Sequence, residues 1–293
     1  MVFPPHLDAI ERAAGGDSVM LIGGLDTGKT TLALNIARQA LAAGRTVAYV
    51  DADIGNSSVG PPACAGLKLL HTPADLAEME RADRLHFVGG LTPERLILQL
   101  VVASAALAEA GRRLADLVVV DTTSVVSGVV GETLKYHKIE LIRPERVVAV
   151  QRGTEMDAIV GMLRRFFSVE VDVLPADPDV LPSSPDVRAA NRAARLRTAF
   201  EPPLERWRVR PTVFAPTLPL GLDLARLDGV LVGVQDGEGR CLGLGRLEHH
   251  EEVLRVVTNA GEGMQGLRLG SLKMDRDSFE TRPLNLRQLI FGI

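Results

Sequence analysis

Two glycines, a lysine and a threonine stand at the spacing Gly23-x4-Gly28-Lys29-Thr30, within the segment GGLDTGKTT. Glycines there let consecutive backbone amides turn inward around a phosphate chain, and a helix starting at that point adds its favourable dipole. Lys29 would reach the β- and γ-phosphates of ATP, and the Thr30 hydroxyl would ligate Mg²⁺. The nucleotide-binding set is Gly23, Gly24, Leu25, Asp26, Thr27, Gly28, Lys29, Thr30 and Thr31. Carboxylates follow at the ends of two apolar runs, Asp51 and Asp53 after TVAYV and Asp121 after LVVV. At the carboxyl end of a parallel sheet such groups converge on the crevice where ligands bind. There they can hold a magnesium shell or accept a hydroxyl proton. A single strand-end aspartate also serves as a turn or helix cap. Two strands ending this way around one P-loop favour phosphate chemistry.

These side chains need strands to aim them. Short apolar runs at Ser18–Ile22, Thr46–Val50, Arg84–Val88, Leu117–Val120, Arg146–Val150 and Val169–Leu174 alternate with helical patterns. That alternation predicts an α/β fold, a P-loop NTPase parallel sheet flanked by helices. Thr92-Pro93-Glu94 reads as a helix start, and Thr154 with Glu155 and Asp157 repeats the logic before Ala158–Phe167. The run from Leu96 to Ala108 reads as a buried helix, too short to span a bilayer. A loop rich in proline and aspartate, LPADPDVLPSSPD, leads into a helix over Pro185 to Phe200 capped by Ser184. Beyond Pro202 alternating segments separated by Asp236-Gly237-Glu238-Gly239 predict a small β-rich C-terminal domain. The expected division is 1–206, including a lid over about 175–200, and 207–293.

Composition narrows the function classes. The net charge of −4 provides no global basic footprint, so contact with nucleic acid must be local. Aromatic residues are only 4% of the chain, which leaves few stacking platforms for bases. Cys64 and Cys241 stand far apart without metal-ligand spacing and read as free, buried thiols. MVFPPHLDAI has no basic segment followed by an apolar core, so the expected setting is cytoplasmic and soluble, with a monomer as the default. His249-His250-Glu251-Glu252 reads as surface, because neighbours on a strand face opposite ways. The single tryptophan, Trp207, reads as packing where the lid helix meets the β-rich segment.

DADIGNSSVGPP, DTTSVVSGVVGETLKYHKIELIRPERVVAVQRGTE and SSPDVRAANRAARLRTAF together resemble the polynucleotide 5′-hydroxyl kinases. That family includes the kinase of the RNA cleavage and polyadenylation machinery and its archaeal and ribosomal-RNA-processing relatives. The resemblance covers about residues 16–200 well and the β-rich tail more loosely. It implies transfer of the ATP γ-phosphate to the 5′-hydroxyl end of RNA or DNA, with Mg²⁺ as cofactor. By position Asp53 matches the catalytic aspartate that contacts the hydroxyl and the magnesium shell, and Lys29 and Thr30 match the P-loop lysine and metal-binding hydroxyl. Arg188 matches a lid arginine that stabilises charge on the transferring group. The magnesium set implied is Thr30, Asp53 and Asp121. Three departures stand out. Asn56 occupies a position usually held by glutamine, and Ser183 one usually held by a lid arginine. Many relatives carry a separate N-terminal β domain, whereas about fifteen residues precede the first strand here.

Arg188, Arg192 and Arg195 share one helix face, and seven arginines against two glutamates lie between Arg188 and Arg210. Guanidinium forks suit phosphate oxygens, although an arginine-rich helix is also an ordinary solvated face. Arg192 would stand in for the arginine absent at Ser183. Lys135, Tyr136 and Lys138 either line a nucleic-acid channel with Asn56 or belong to an amphipathic helix with Ile139 and Leu141 inward. Arg152 either stacks on adenine or makes a structural salt bridge. An active kinase, an ATP-binding adaptor and a switch ATPase or GTPase are the classes left open. The P-loop lacks the early lysine of the switch group, and no N-K-x-D motif follows the later strands.

Overall fold

Side chains along the first strand alternate, Met20 and Ile22 facing one core and Val19 and Leu21 another, so both faces of the sheet need cover. The computed structural model describes residues 3–219 and 221–291. In chain order it builds α1 (Leu7–Gly15), β1 (Ser18–Gly23), α2 (Lys29–Ala42), β2 (Val47–Ala52), β3 (Cys64–Leu70) and β4 (Arg84–Phe87). Next come α3 (Ile97–Arg112), β5 (Leu117–Thr122), α4 (Gly128–Ile142), β6 (Arg146–Gln151), α5 (Asp157–Phe166) and β7 (Glu170–Pro175).

The parallel part of the sheet runs β2-β5-β1-β6-β7. Helices α1 and α2 cover one face, and α3, α4 and α5 the other. In register, Leu21 and Asp51 each lie opposite Asp121, so the carboxyl ends of β1, β2 and β5 open onto one crevice. The expected α/β P-loop sheet flanked by helices is present, with an antiparallel extension, and one helix start needs correction. The sheet is mixed, because β3 pairs antiparallel with both β2 and β4. Its sequence, CAGLKLL, carries a glycine and a lysine that break the apolar run. The first turn of α3 also starts later than Thr92-Pro93-Glu94 suggested. Those residues form a separate turn in which Leu96 N–H bonds the Pro93 carbonyl at 2.9 Å, and the helix begins at Ile97.

After β7 the chain crosses the carboxyl end of the sheet and enters α6 (Pro185–Ala199), where Ser184 Oγ accepts from Val187 N–H at 3.2 Å. Proline at the first helical position and a serine cap explain that sharp start. Strands β8 (Glu205–Arg208), β9 (Val230–Gln235), β10 (Cys241–His250), β11 (Val253–Thr258), β12 (Gly266–Met274) and β13 (Thr281–Pro283) follow, and α7 (Leu286–Phe291) ends the described chain. These strands pair antiparallel over their own apolar cluster. The boundary expected between 206 and 207 falls inside β8, which pairs with β11. The Cys241–Leu85 bridge joins β10 to β4, so thirteen strands share one sheet among the described residues. Phe87, 1% exposed, packs across that junction. A Cβ on Gly233 would sit 2.4 Å from its ring, so only glycine allows the approach. Among the described residues no helix is long and apolar enough to cross a membrane.

Candidate active site

Gly28 is the last residue before α2 and adopts φ +87°, the left-handed conformation that glycine takes without steric cost. A left-handed glycine just before a helix is the backbone feature that lets such a loop turn its amides towards a phosphate chain. Lys29 Nζ donates to the Gly24 carbonyl at 2.6 Å, and Thr27 Oγ1 donates to the same oxygen at 3.0 Å. Burial pulls the Lys29 ammonium below its ordinary range, while Asp121, Asp53 and Asp26 act in the opposite sense. Thr30 Oγ1 donates to Asp121 Oδ2 at 2.5 Å, and the Tyr49 hydroxyl approaches that same oxygen at 3.3 Å. Burial raises the Asp121 carboxyl.

The two aspartates at the end of β2 divide their labour. Asp51, 1% exposed, accepts through Oδ1 from Asp53 N–H at 2.8 Å. Its Oδ2 accepts from the Ser58 amide, from Ser58 Oγ at 2.8 Å and from Val59 N–H at 3.0 Å. Burial, then Asp121 and Asp53, push its carboxyl up to about 7. Asp51 is thus the anchor of the 53–59 loop. Asp53 is half-buried and accepts at Oδ1 from Gly55 and Asn56 N–H, both at 3.1 Å. Its Oδ2 accepts no hydrogen bond among the described residues.

Helix α6 contacts both the P-loop and the segment after Asp53. Arg188 Nη1 lies 3.4 Å from Asp26 Oδ2 in the P-loop and also donates to the Ser183 carbonyl. Arg195 donates to the Gly60 carbonyl at 3.1 Å and the Ser58 carbonyl at 3.2 Å, and pairs with Glu80 at 3.2 Å. Between α6 and the loop lies a cleft of about 460 Å³ lined by Asn56, Ser58, Asn191, Arg188, Arg192 and Arg195 among others. Burial, and after it the neighbouring Arg188, lower the Arg192 guanidinium. Two like charges held beside one cleft form an anion-binding arrangement.

Other sequence expectations land elsewhere. Lys135 and Lys138 are wholly buried and line no nucleic-acid channel. Lys135 Nζ donates to Thr122 Oγ1 at 2.9 Å and the Thr123 carbonyl at 2.7 Å, beneath the strand that carries Asp121. Burial lowers both ammonium groups, that of Lys138 to about 7, against the pull of Asp53, Asp51 and Asp121. Lys138 Nζ has no hydrogen-bond partner among the described residues. Tyr136 packs on Phe166 and Phe167 rather than lining a channel. The amphipathic reading of α4 holds for Ile139, whereas Leu141 is 54% exposed. The buried stripe Leu134, Lys135, Lys138, Ile139 and Ile142 has helical period, which is the signal that places both lysines inward. Among the described residues Arg152 makes no salt bridge. Its guanidinium donates to the Asp26 carbonyl at 2.7 Å and the Val180 carbonyl at 3.2 Å.

Lys138 supports a stability prediction. Folding carries its ammonium from 10.5 down to about 7, so the penalty of burying the charge is complete at and below pH 7 and fades as pH rises towards 10.5. Lys138→Met is expected to stabilise the fold by about 1–4 kcal/mol at neutral pH, as apolar replacements of buried charges do. Thermal unfolding of both proteins near pH 7 and again near pH 10 checks this, with the gain shrinking at the higher pH.

The family model of the mRNA cleavage and polyadenylation factor CLP1 P-loop matches residues 23–202, which span the phosphate loop, both aspartate strands and the lid. The chain belongs to the CLP1 P-loop family. Curated relatives of this CLP1-family chain include a polyribonucleotide 5′-hydroxyl-kinase of Pyrococcus furiosus, 37% identical over 143 residues, covering 48% of this chain and 40% of that protein. One of Methanocaldococcus jannaschii is 34% identical over 142 residues, covering 48% of this chain and 39% of that protein. The matched stretch thus spans about two fifths of those relatives' length. The solved Clp1p–Pcf11p complex aligns with TM-score 0.70 at 14% identity, over 91% of this chain and 77% of the solved one, and shows the shared CLP1 fold.

Proposed function

We propose that the protein is an ATP-dependent polynucleotide 5′-hydroxyl kinase working in the cytoplasm. The observation that carries this reading is Asp53, which acts electrostatically on Lys29 and Asp121 of the P-loop site and holds through Oδ1 the amide of Asn56, a lining residue of the arginine-bearing cleft under α6. A hydrolytic switch has no use for a second anion cleft beside its carboxylate. The 34–37% identity to archaeal proteins named polyribonucleotide 5′-hydroxyl-kinase supports the same reading.

The P-loop amides and Lys29 would hold the β- and γ-phosphates of ATP, and Arg188 and Arg192 would reach the γ-phosphate and the acceptor's own phosphate. Asn56, exposed at the cleft, would contact the acceptor nucleotide. The acceptor's 5′ oxygen forms a bond to the γ-phosphorus while the bond from that phosphorus to the β–γ bridging oxygen breaks. The hydroxyl proton passes to Asp53 Oδ2, and the products are ADP and a 5′-phosphorylated strand. Such chemistry depends on positioning and charge stabilisation more than on covalent help.

The residues fit a magnesium ion, because among the described residues Asp121 Oδ1 is buried without a hydrogen-bond partner, on the carboxylate that accepts from the Thr30 hydroxyl. Among the described residues no three His, Cys, Asp or Glu side chains form a metal set, so Thr30, Asp121 and Asp53 would share the ion with phosphate oxygens. When bound, magnesium neutralises charge between the β- and γ-phosphates.

Incubation with γ-labelled ATP, magnesium and a short 5′-hydroxyl oligonucleotide tests the proposal. Label appearing on the oligonucleotide with the unaltered protein but not with Asp53→Ala supports it. ATP binding without transfer would instead make the chain an adaptor, and phosphate release without an acceptor a switch.

A further inference from the structure

Asp26 is out of place in a loop built for a polyanion. Its carboxylate repels any phosphate chain held by the same loop, and it weakens the field that Lys29 and the helix α2 dipole set up. Residue 26 also adopts φ +53°, a left-handed conformation uncommon for residues other than glycine and one that gathers at functional sites. A residue that opposes the ligand and sits in a disfavoured conformation needs a different partner, and two arginines supply it. Arg188, in the first turn of α6, places Nη1 3.4 Å from Asp26 Oδ2, with both side chains about one-fifth exposed. Arg152, past the end of β6, binds the Asp26 carbonyl at 2.7 Å and the Val180 carbonyl at 3.2 Å. Val180 in turn lies over the loop, 3.3 Å from where a Cβ on Gly28 would be. Arg152 therefore ties the chain entering α6 to the Asp26 main chain, while the Asp26 carboxylate contacts the arginine of α6 itself.

We infer that Asp26 is a positioning residue, whose carboxylate seats the lid guanidinium of Arg188 over the P-loop and yields it to the γ-phosphate of a bound nucleotide. The inference rests on the kinase reading given above. Because carboxylate and phosphate compete for one guanidinium, the seating of Arg188 is coupled to nucleotide occupancy. The acid that weakens nucleotide binding is the same acid that places the charge needed at the transferring group.

The test uses Asp26→Asn and Asp26→Gly in the full chain. The first removes the charge and keeps a side chain tolerant of the left-handed region. The second removes the charge and relieves the backbone. Both are expected to bind ATP as tightly as the unaltered protein or tighter, by calorimetry, while kcat for oligonucleotide transfer falls about ten-fold, the size of coupling between contacting charged groups. Amide hydrogen exchange over residues 185–199 is expected to quicken in both variants, and Asp26→Glu is expected to restore part of the loss. In the double variant with Arg188→Ala the Asp26 effect is expected to vanish. Independent, additive losses would overturn the inference, as would parallel loss of ATP affinity and turnover, or a Gly variant that behaves as the unaltered protein. If the unaltered protein labels no oligonucleotide the kinase reading fails, and ATP affinity with lid exchange still decides the role of Asp26.

Discussion

Arg188→Ala is expected to slow phosphate transfer to a 5′-hydroxyl oligonucleotide by about 10³-fold or more, the range seen when an arginine is withdrawn from a transferring phosphoryl group. The guanidinium lies at the P-loop rim on Asp26 and beside Arg192 at the cleft, with no lysine in the lid helix to take its place. ATP affinity is expected to stay within a few-fold, since the loop amides and Lys29 are untouched. Arg188→Lys restores the charge but not the fork, so it should recover only part of the rate. Single-turnover transfer alongside equilibrium ATP binding measures the split. An equal loss of binding and transfer would place Arg188 in nucleotide binding alone. Ser183 sharpens this dependence, because it offers Arg188 a carbonyl and adds no second guanidinium at the start of α6.

Asp53→Asn is expected to reduce transfer by about 10²- to 10⁴-fold, the usual contribution of a positioned general base. An asparagine keeps an oxygen where Oδ1 accepts from the Gly55 and Asn56 amides, so the loop should hold its shape. What disappears is the carboxylate charge and the capacity to take the hydroxyl proton. Unchanged thermal stability with nearly lost turnover would confirm that division. The contrasting variant is Asp51→Ala, which strips the acceptor from Ser58 and Val59 and is expected to unfold the loop and lower stability.

The phosphate loop, the strand ends at Asp51, Asp53 and Asp121, and the capped lid helix were legible in the amino-acid sequence. Their signals are local: a glycine spacing, an apolar run closed by an acid, a serine and proline at a helix start. Five of the six predicted strands build the parallel part of the sheet for the same reason, since hydrophobic period is written residue by residue. The place of β3 was not legible, because an antiparallel partner is chosen by non-local pairing and its own run is broken by Gly66 and Lys68. The burial of Lys135 and Lys138 was legible only as a helical period, which their charge and the channel reading outweighed. A lysine's environment depends on what packs over its helix, and here α4 turns that face towards Thr122 and the aspartates. The same holds for the carboxylates. Residue pattern alone set Asp51 and Asp53 side by side and only the resemblance favoured Asp53; the fold, by closing the 53–59 loop onto Asp51, separates them, with Asp53 Oδ1 holding the Asn56 amide beside the cleft.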